Sequence, residues 1–257
     1  MDPSRTFTRR DVLTSTPEVA EATIDPSRLP VLPEPRPSGA PWSLHVLAKP
    51  TGATCNLDCT YCFFLSKEAL YPNSKFRMAD DLLEQYIRQV IETQRQDHVN
   101  IAWQGGEPTL MGLDFFRRSV ELVEKYRRPG MTVEHTIQTN CTLLDGEWAD
   151  FFREHGFLVG LSLDGPAEIH DANRVDKGGK GTLAKVLAAA RLLAEHGADF
   201  NILCTVHSEN GARGREVYRY FRDEVGARFI QFIPIIERAT PELIQIAEGG
   251  WGSHVEG

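Results

Sequence analysis

Short apolar runs alternate with amphipathic segments after residue 42, and this alternation restricts the folds open to the chain. The runs that read as strands are 44–49, 98–104, 132–138, 158–164, 200–206 and 228–235. The segments with apolar residues at helical spacing are 80–94, 113–127, 146–156, 182–197 and 214–226. Such alternation predicts parallel strands joined by helical crossovers. We therefore expect an α/β fold, either a partial (β/α)6 barrel or a doubly wound sheet.

The N-terminal segment differs from the rest in composition. Residues 1–41 contain eight prolines and few large apolar side chains, so they can bury little surface to offset the entropy of ordering. We expect an extended or disordered tail there. Farther along, Gly156, Gly197 and Gly226 stand where the helix C-caps are expected.

Charge and cysteine content limit the classes of function. A net charge of −8 at pH 7 argues against a general nucleic-acid surface, which is normally basic. No apolar run approaches the roughly 20 residues of a membrane span, so we expect no membrane partner. The N-terminus lacks the apolar region of a secretory signal. Five cysteines, three of them clustered, fit a reducing compartment and predict a cytoplasmic protein.

Three of the cysteines stand close together after the first predicted strand. Cys55, Cys59 and Cys62 lie in the run CNLDCTYC, with no fourth cysteine nearby. Three thiolates can hold three irons of a cubane cluster and leave the fourth iron open, whereas four thiolates leave no such position. A closed structural zinc site also requires four ligands. The spacing therefore indicates reactive metal chemistry.

Further polar or glycine-rich motifs follow the next three strands. GGEP (105–108), QTN (138–140) and SLDGP (162–166) each come at the end of a predicted strand. A β/α barrel gathers its chemistry at the carboxyl ends of its strands. The motifs and the cysteine loop are therefore expected to converge on one mouth, which favours the barrel.

These residues resemble a known family. CNLDCTYC followed by GGEP is similar to the radical S-adenosylmethionine (SAM) enzymes. The longer blocks KPTGATCNLDCTYCFFLSKE, WQGGEPTLMGLDFF, QTNCTLLD, FLVGLSLDGPAEIHDANR and FNILCTVHS resemble the anaerobic sulfatase-maturating enzymes. The resemblance runs from about residue 44 to 252. It implies an α/β fold, a partial (β/α)6 TIM-like barrel of the radical SAM type, with 42–240 as the radical SAM core domain.

The resemblance also implies two cofactors. One [4Fe–4S] cluster is expected on Cys55, Cys59 and Cys62, with SAM completing the coordination of the open iron. Reductive cleavage of SAM then yields a 5′-deoxyadenosyl radical, a reaction in which the protein positions and shields the cofactor.

The family's SAM-contacting residues have counterparts at matching positions of this sequence. Tyr61 matches the aromatic residue beside the adenine, and 105–107 (Gly105, Gly106 and Glu107) match the segment that meets the amino group of SAM. Ser162 and Arg174 match contacts to the ribose and carboxylate, and an Arg fork suits a carboxylate. Ile236 matches an apolar position beside the adenine.

The implied reaction needs partners. Gln104 fits a contact near SAM or near a substrate. The substrate is an unfolded sulfatase polypeptide whose Cys or Ser is oxidised to Cα-formylglycine in a dry pocket. An electron donor such as flavodoxin or ferredoxin is expected to reduce the cluster.

The chain departs from the family beyond Cys62. Only Cys141 and Cys204 follow, so ligands for the two auxiliary clusters of the C-terminal domain are missing. The family's acidic base has no matching position, and the catalytic base stays unassigned. We expect a fragment or a truncated product, with 241–257 as its shortened C-terminal segment.

Other readings stay open at this point. A thioether-forming or other peptide-modifying radical SAM enzyme shares the triplet. An inactive SAM-binding remnant is a further reading, and a zinc or structural iron site is weakened by the missing fourth ligand. Cys204 is expected to be a buried strand cysteine. Cys141 is expected to be incidental, at a position where the family has glycine. His135 and His207 are expected to be structural.

Overall fold

The computed structural model describes residues 44–65, 67 and 74–235. The predicted segments 1–41 and 241–257 and the predicted SAM contact Ile236 lie outside these residues. Six strands form one sheet: β1 (Leu47–Ala48), β2 (His98–Trp103), β3 (Thr132–Thr139), β4 (Phe157–Ser162), β5 (Phe200–Val206) and β6 (Ile230–Pro234).

Helices occupy the crossovers between the strands. They are α1 (Asp80–Thr93), α2 (Leu113–Tyr126), α3 (Gly146–Glu154), α4 (Ala167–Asn173), α5 (Leu183–His196), α6 (Ser208–Gly211) and α7 (Gly214–Arg219). A 3-10 turn at Pro108–Met111 precedes α2, and a π-helical turn at Tyr220–Glu224 extends α7. In the part of the chain that is described, no helix combines the length and apolarity needed to cross a membrane.

The strand order decides between the two candidate arrangements. Every neighbouring pair is parallel, and the strands lie in the order β1 to β6 without a reversal. A doubly wound sheet reverses its order at a switch point, where its ligands bind. Right-handed crossovers in a single direction place every helix on the same face, so the twisted sheet rolls toward a barrel. The predicted partial (β/α)6 barrel is confirmed.

Most element boundaries agree with the prediction; the first strand and two short helices differ for physical reasons. The first strand is shorter than predicted because the side chain of Gln94 bonds the backbone of Leu44, accepting from its N–H at 3.2 Å and donating to its carbonyl at 2.5 Å. Helices α4 and α6 were missed, since their seven and four residues are too few to show a helical period. Gly156, Gly197 and Gly226 all have positive φ, which confirms the predicted helix ends.

The core contains an aromatic cluster between the sheet and the helices. Phe116 on α2 is fully buried and meets Trp103, Phe115, Trp148 and Phe157 edge-on, with ring centroids 5.2–6.5 Å apart. Edge-to-face pairs add to the free energy of burial. The cluster therefore holds helices α2 and α3 against strands β2 and β4.

Truncating this cluster is expected to destabilise the fold strongly. Phe116→Ala should lower the free energy of unfolding by about 3–5 kcal/mol, because a buried ring is lost and a cavity remains. Phe229→Ala removes the same atoms from a side chain that is 64% exposed, and should change stability by less than about 0.5 kcal/mol. Urea unfolding of both variants compares them, and equal effects would contradict the packing described.

Buried histidines make the fold sensitive to acid. His135 on β3 is buried, stacks on Phe157 with centroids 4.7 Å apart, and has its Nδ1 without a hydrogen-bond partner. Burial, with a smaller contribution from His155, lowers the pKa of His135 to about 4. The unfolded chain therefore binds a proton that the folded chain rejects, and stability falls as pH drops from about 6.5 toward 4.

We expect His135→Gln to reduce this acid sensitivity. Between pH 7 and pH 5 the variant should lose about 2 kcal/mol less unfolding free energy than the parent, since an unfolded histidine titrates near 6.5. Replacing the exposed His45 by Gln is the matched control and should leave the loss unchanged. Urea unfolding at the two pH values measures the difference. Identical losses in parent and His135→Gln would show that His135 does not contribute.

Candidate functional site

The loop that carries the three cysteines begins at the carboxyl end of β1 and is hydrogen-bonded to the last residue of α4 and to the chain just beyond it. Asp58 N donates to the Val175 carbonyl at 2.8 Å, and Thr60 N donates to the Asn173 carbonyl at 3.0 Å. Inside the loop, Cys62 N donates to the Cys59 carbonyl at 3.0 Å. These backbone bonds fix a loop that has little regular structure of its own.

The three thiols are free and half-buried. Burial raises the pKa of Cys55 to about 11 and that of Cys59 to about 12. The charge of Arg174 partly offsets burial at Cys59, and the hydrogen bond from Leu57 N partly offsets burial at Cys55. Within residues 44–65, 67 and 74–235, no three His, Cys, Asp or Glu side chains are grouped closely enough for a single metal ion. Burial thus keeps Cys55 and Cys59 protonated near neutral pH, and a bound positive centre would favour their thiolates.

The glycine pair after β2 packs directly on the start of the cysteine loop. Gly106 N donates to the Gly52 carbonyl at 2.9 Å, and Glu107 N donates to the Thr54 carbonyl at 2.9 Å. A Cβ atom at Gly106 would lie 2.0 Å from Thr54 O. Gly105 has φ +119, which only glycine adopts readily. Both predicted glycines thus allow a close approach of two backbones at the mouth.

Glu107 is fully buried and its carboxylate is bonded to the protein. Oε1 accepts from Thr109 N at 3.0 Å, Thr109 Oγ1 at 2.7 Å and Thr139 Oγ1 at 2.7 Å, while Oε2 accepts from Asn140 N at 2.8 Å. Burial raises its pKa, since every donor is neutral. Glu107 therefore joins the loops after β2 and β3, and one acceptor position of Oε2 is left for another donor.

Asparagine side chains link the loop after β3 to the first cysteine. Asn140 Nδ2 donates to Asn56 Oδ1 at 2.9 Å and lies 3.7 Å from Cys55 Sγ. Asn56 Nδ2 donates to Thr142 Oγ1 at 2.8 Å. Cys141 adopts φ +59, is buried, and its thiol donates to the Thr139 carbonyl at 3.6 Å. Cys141 thus packs behind this link.

A second buried carboxylate lies under the cysteine loop. Asp164, two residues past β4, accepts from Arg174 Nε at 2.8 Å and from Arg174 Nη2 at 3.1 Å. It also accepts from the Tyr61 hydroxyl and from Thr205 N at 3.0 Å. Burial, the largest single influence, opposes its ionisation, but the charge of Arg174 and the hydrogen bonds from Arg174 and Tyr61 together outweigh burial and keep the pKa of Asp164 below its usual value. The site therefore contains a buried ion pair.

His207 and Cys204 lie beside this ion pair. The His207 ring stacks on Tyr61 with centroids 5.5 Å apart, and its Nε2 is buried, has no hydrogen-bond partner and lies 3.8 Å from Asp164 Oδ2. Its Nδ1 accepts from Glu209 N at 3.3 Å, so the proton is on Nε2. Cys204 is fully buried on β5, as predicted.

The two other predicted contacts also lie at the mouth. Ser162 ends β4, is buried, and its hydroxyl accepts from Gln138 Nε2 at 2.9 Å. Gln104 follows β2 and is half-buried, with its N–H donating to the Ala48 carbonyl at 2.9 Å. Both residues therefore lie at the carboxyl ends of their strands.

The structure thus brings the described candidates to one end of the sheet. The predicted set there is Cys55, Cys59, Cys62, Tyr61, Gln104, Gly105, Gly106, Glu107, Ser162 and Arg174. Sequence reasoning missed Asp164, although it lies in the SLDGP motif. An aspartate before a glycine is typical of a turn, and only its distant partner Arg174 distinguishes it from one.

Comparisons with known proteins agree with this arrangement. The sequence profile of the Radical SAM superfamily matches residues 50–221, more than half of the chain. A serine-type anaerobic sulfatase-maturating enzyme from Bacteroides thetaiotaomicron is 42% identical over 216 residues, which cover 82% of this chain and 52% of that protein. A cysteine-type anaerobic sulfatase-maturating enzyme from Clostridium perfringens is 42% identical over 198 residues, covering 76% and 52%. The chain spans about half the length of these curated relatives.

Solved structures show the same fold. Native anSMEcpe with bound AdoMet and Kp18Cys peptide aligns with a TM-score of 0.69 at 41% identity, covering 75% of this chain and 51% of that chain. Streptococcus suis SuiB bound to S-adenosylmethionine aligns with a TM-score of 0.55 at 18% identity, covering 79% and 46%, which indicates a shared fold alone. The chain belongs to the radical SAM superfamily.

Proposed function

We propose that this chain is the catalytic core of a radical SAM enzyme of the anaerobic sulfatase-maturase type. The observation that carries the proposal is the cysteine loop: it carries three free thiols, begins against the glycine pair, and bonds the buried Asp164–Arg174 pair through Tyr61. Relatives at 42% identity are sulfatase-maturating enzymes. The alignment covers about half of the length of these relatives. The complete sulfatase-maturating activity is therefore a proposal for this chain.

The residues fit a [4Fe–4S] cluster with one open iron. The donor set is three thiols on one loop, and a cluster held by three thiolates leaves one iron for an outside ligand. Binding a cationic cluster would also lower the pKa values that burial raises at Cys55 and Cys59. Cys55, Cys59 and Cys62 would hold the cluster, and with SAM it supplies a carbon radical able to take a hydrogen atom from a peptide.

The protein's part is to bind SAM and to exclude water. We assign the amino group to the backbone of 105–107 with Glu107 Oε2, and the adenine to the ring of Tyr61 and the apolar Ile236. Ser162 and Arg174 are assigned to the ribose and carboxylate. Glu107, Ser162, Tyr61 and Arg174 are all buried, which supports a water-poor site of the kind that radical chemistry requires.

The peptide substrate follows from the relatives. Serine-type and cysteine-type enzymes match at the same 42% identity, so we propose a sulfatase segment with Cys or Ser as the target. Oxidation of that residue at Cβ gives Cα-formylglycine. Gln104, beside the glycine pair, is assigned to SAM or to this peptide.

An electron donor is also part of the proposal. The Lys49 ammonium lies 4.0 Å from the centroid of the Phe64 ring, and the Lys67 ammonium lies 5.4 Å from that of Phe63, directly after Cys62. Positive charge beside the cluster loop favours an acidic electron-transfer protein, and we propose flavodoxin or ferredoxin. The five free thiols support the proposal that the protein works in the cytoplasm.

Anaerobic reconstitution tests the proposal. The chain should bind about four irons and, with dithionite, cleave SAM to 5′-deoxyadenosine, whereas Cys59→Ala should do neither. Mass analysis of a Cys-x-Pro-x-Arg peptide and its Ser counterpart then tests for formylglycine. Iron-loaded protein that leaves SAM intact would contradict the assignment as a radical SAM enzyme. SAM cleavage that forms a thioether in the peptide would instead indicate the thioether-forming alternative.

The glycine pair gives an independent prediction. Gly106→Ala should displace Thr54, next to Cys55, lowering the unfolding free energy of the apo-protein by about 1–3 kcal/mol and reducing the iron content. Gly214 has no atom within 4 Å of its added Cβ, so Gly214→Ala is the control: it should not lower the unfolding free energy, since alanine favours a helix over glycine, and it should leave the iron content unchanged. Thermal unfolding and iron analysis provide the readouts. Normal iron content in Gly106→Ala would contradict the close packing.

A further inference from the structure

We propose that Asp164 is the positioning residue of the SAM site: one buried carboxylate sets both Tyr61 and Arg174 in their SAM-binding orientation. This inference rests on the proposed function, because Tyr61 and Arg174 are assigned there to SAM. Asp164 itself is two residues beyond β4, fully buried, and acts through these two side chains.

Every acceptor position of the Asp164 carboxylate is occupied. Oδ2 accepts from the Tyr61 hydroxyl and from Arg174 Nε, and Oδ1 accepts from Arg174 Nη2 and Thr205 N. A carboxylate offers about four lone-pair positions, so each one has a donor. The side chain consequently has a single arrangement that satisfies all four donors.

The donors to Asp164 belong to three separate parts of the chain. Tyr61 lies between Cys59 and Cys62 on the cysteine loop, Arg174 follows α4, and Thr205 is on β5. The Arg174 guanidinium carbon lies 5.5 Å from the centroid of the Tyr61 ring. Asp164 therefore couples the loop proposed to hold the cluster to two separate elements of the barrel.

An amide cannot replace the carboxylate of Asp164. Asparagine offers one oxygen with two lone pairs and an NH2 group that donates. At least two of the four donors would lose their acceptor, and the NH2 group would face donors. The Arg174 charge would also be buried without its partner, which is strongly destabilising for a side chain that is 10% exposed.

A nearby aspartate provides a matched control. Asp171 Oδ1 accepts from Thr182 N at 2.7 Å and Leu183 N at 2.8 Å, at the start of α5. Its two bonds support the N-terminus of α5. Thr182 also donates through Oγ1 to the Arg174 backbone carbonyl at 2.8 Å, but neither bond of Asp171 involves the side chain of a proposed SAM contact. Asp171→Asn therefore tests whether a loss of stability alone weakens SAM binding.

The test measures SAM affinity by equilibrium dialysis of iron-loaded protein without reductant, so that no SAM is cleaved. Asp164→Asn should bind SAM at least about tenfold more weakly, as expected when a charged hydrogen bond is lost, with iron content unchanged. Asp171→Asn should lower the unfolding temperature and leave SAM affinity unchanged. Equal SAM affinity in Asp164→Asn and the parent would overturn the inference.

A double-mutant cycle with Tyr61→Phe, which keeps the ring and removes the hydroxyl, tests the coupling. The affinity loss from Tyr61→Phe should vanish in the Asp164→Asn background, since the hydroxyl acts through that carboxylate. Fully additive losses would contradict this coupling. If Asp164→Asn does not fold, Tyr61→Phe alone tests the inference. Unchanged SAM affinity in Tyr61→Phe would then overturn it. A parent protein that holds iron but binds no SAM would instead disprove the proposed function.

Discussion

Two buried carboxylates, one on each side of the cysteine loop, hold the mouth of the barrel together. Glu107 accepts only from neutral N–H and O–H groups, so burial raises its pKa. Asp164 is equally buried, but the charge of Arg174 together with the hydrogen bonds from Arg174 and Tyr61 keeps its pKa low. The first carboxylate joins the loops after β2 and β3, and the second joins β4, β5 and the cysteine loop. Both must be satisfied together, because a buried acceptor without donors costs stability.

The rest of the fold makes these contacts possible. Six parallel strands in sequential order bring every strand's carboxyl end to the same rim, so residues far apart in the chain meet there. Asp164 and Thr205 are separated by 41 positions and still share a hydrogen bond. The aromatic cluster around Phe116 packs elsewhere, between sheet and helices. The rim can therefore carry polar groups while the core supplies stability.

Much of the fold was predictable from local pattern. β5 has the predicted bounds, and the C-terminal glycines of three helices adopt positive φ. The sequence could not show that Gln94 replaces part of the first strand, because the contact spans 50 positions. The sequence also could not show that Arg174 is paired with Asp164, because a motif gives residue types and not their hydrogen-bond partners. Asp164 was missed for the same reason.

By itself, the sequence determined the alternation of strands and helices, the three clustered thiols and the glycine pair, because each is a local pattern of residue types. Tertiary structure decided the strand order, and with it the choice of a barrel over a doubly wound sheet. It also decided that the carboxylates of Glu107 and Asp164 are buried and bonded to the protein. The physical reason is that burial and hydrogen bonding depend on atoms brought together from distant parts of the chain, which no local pattern contains.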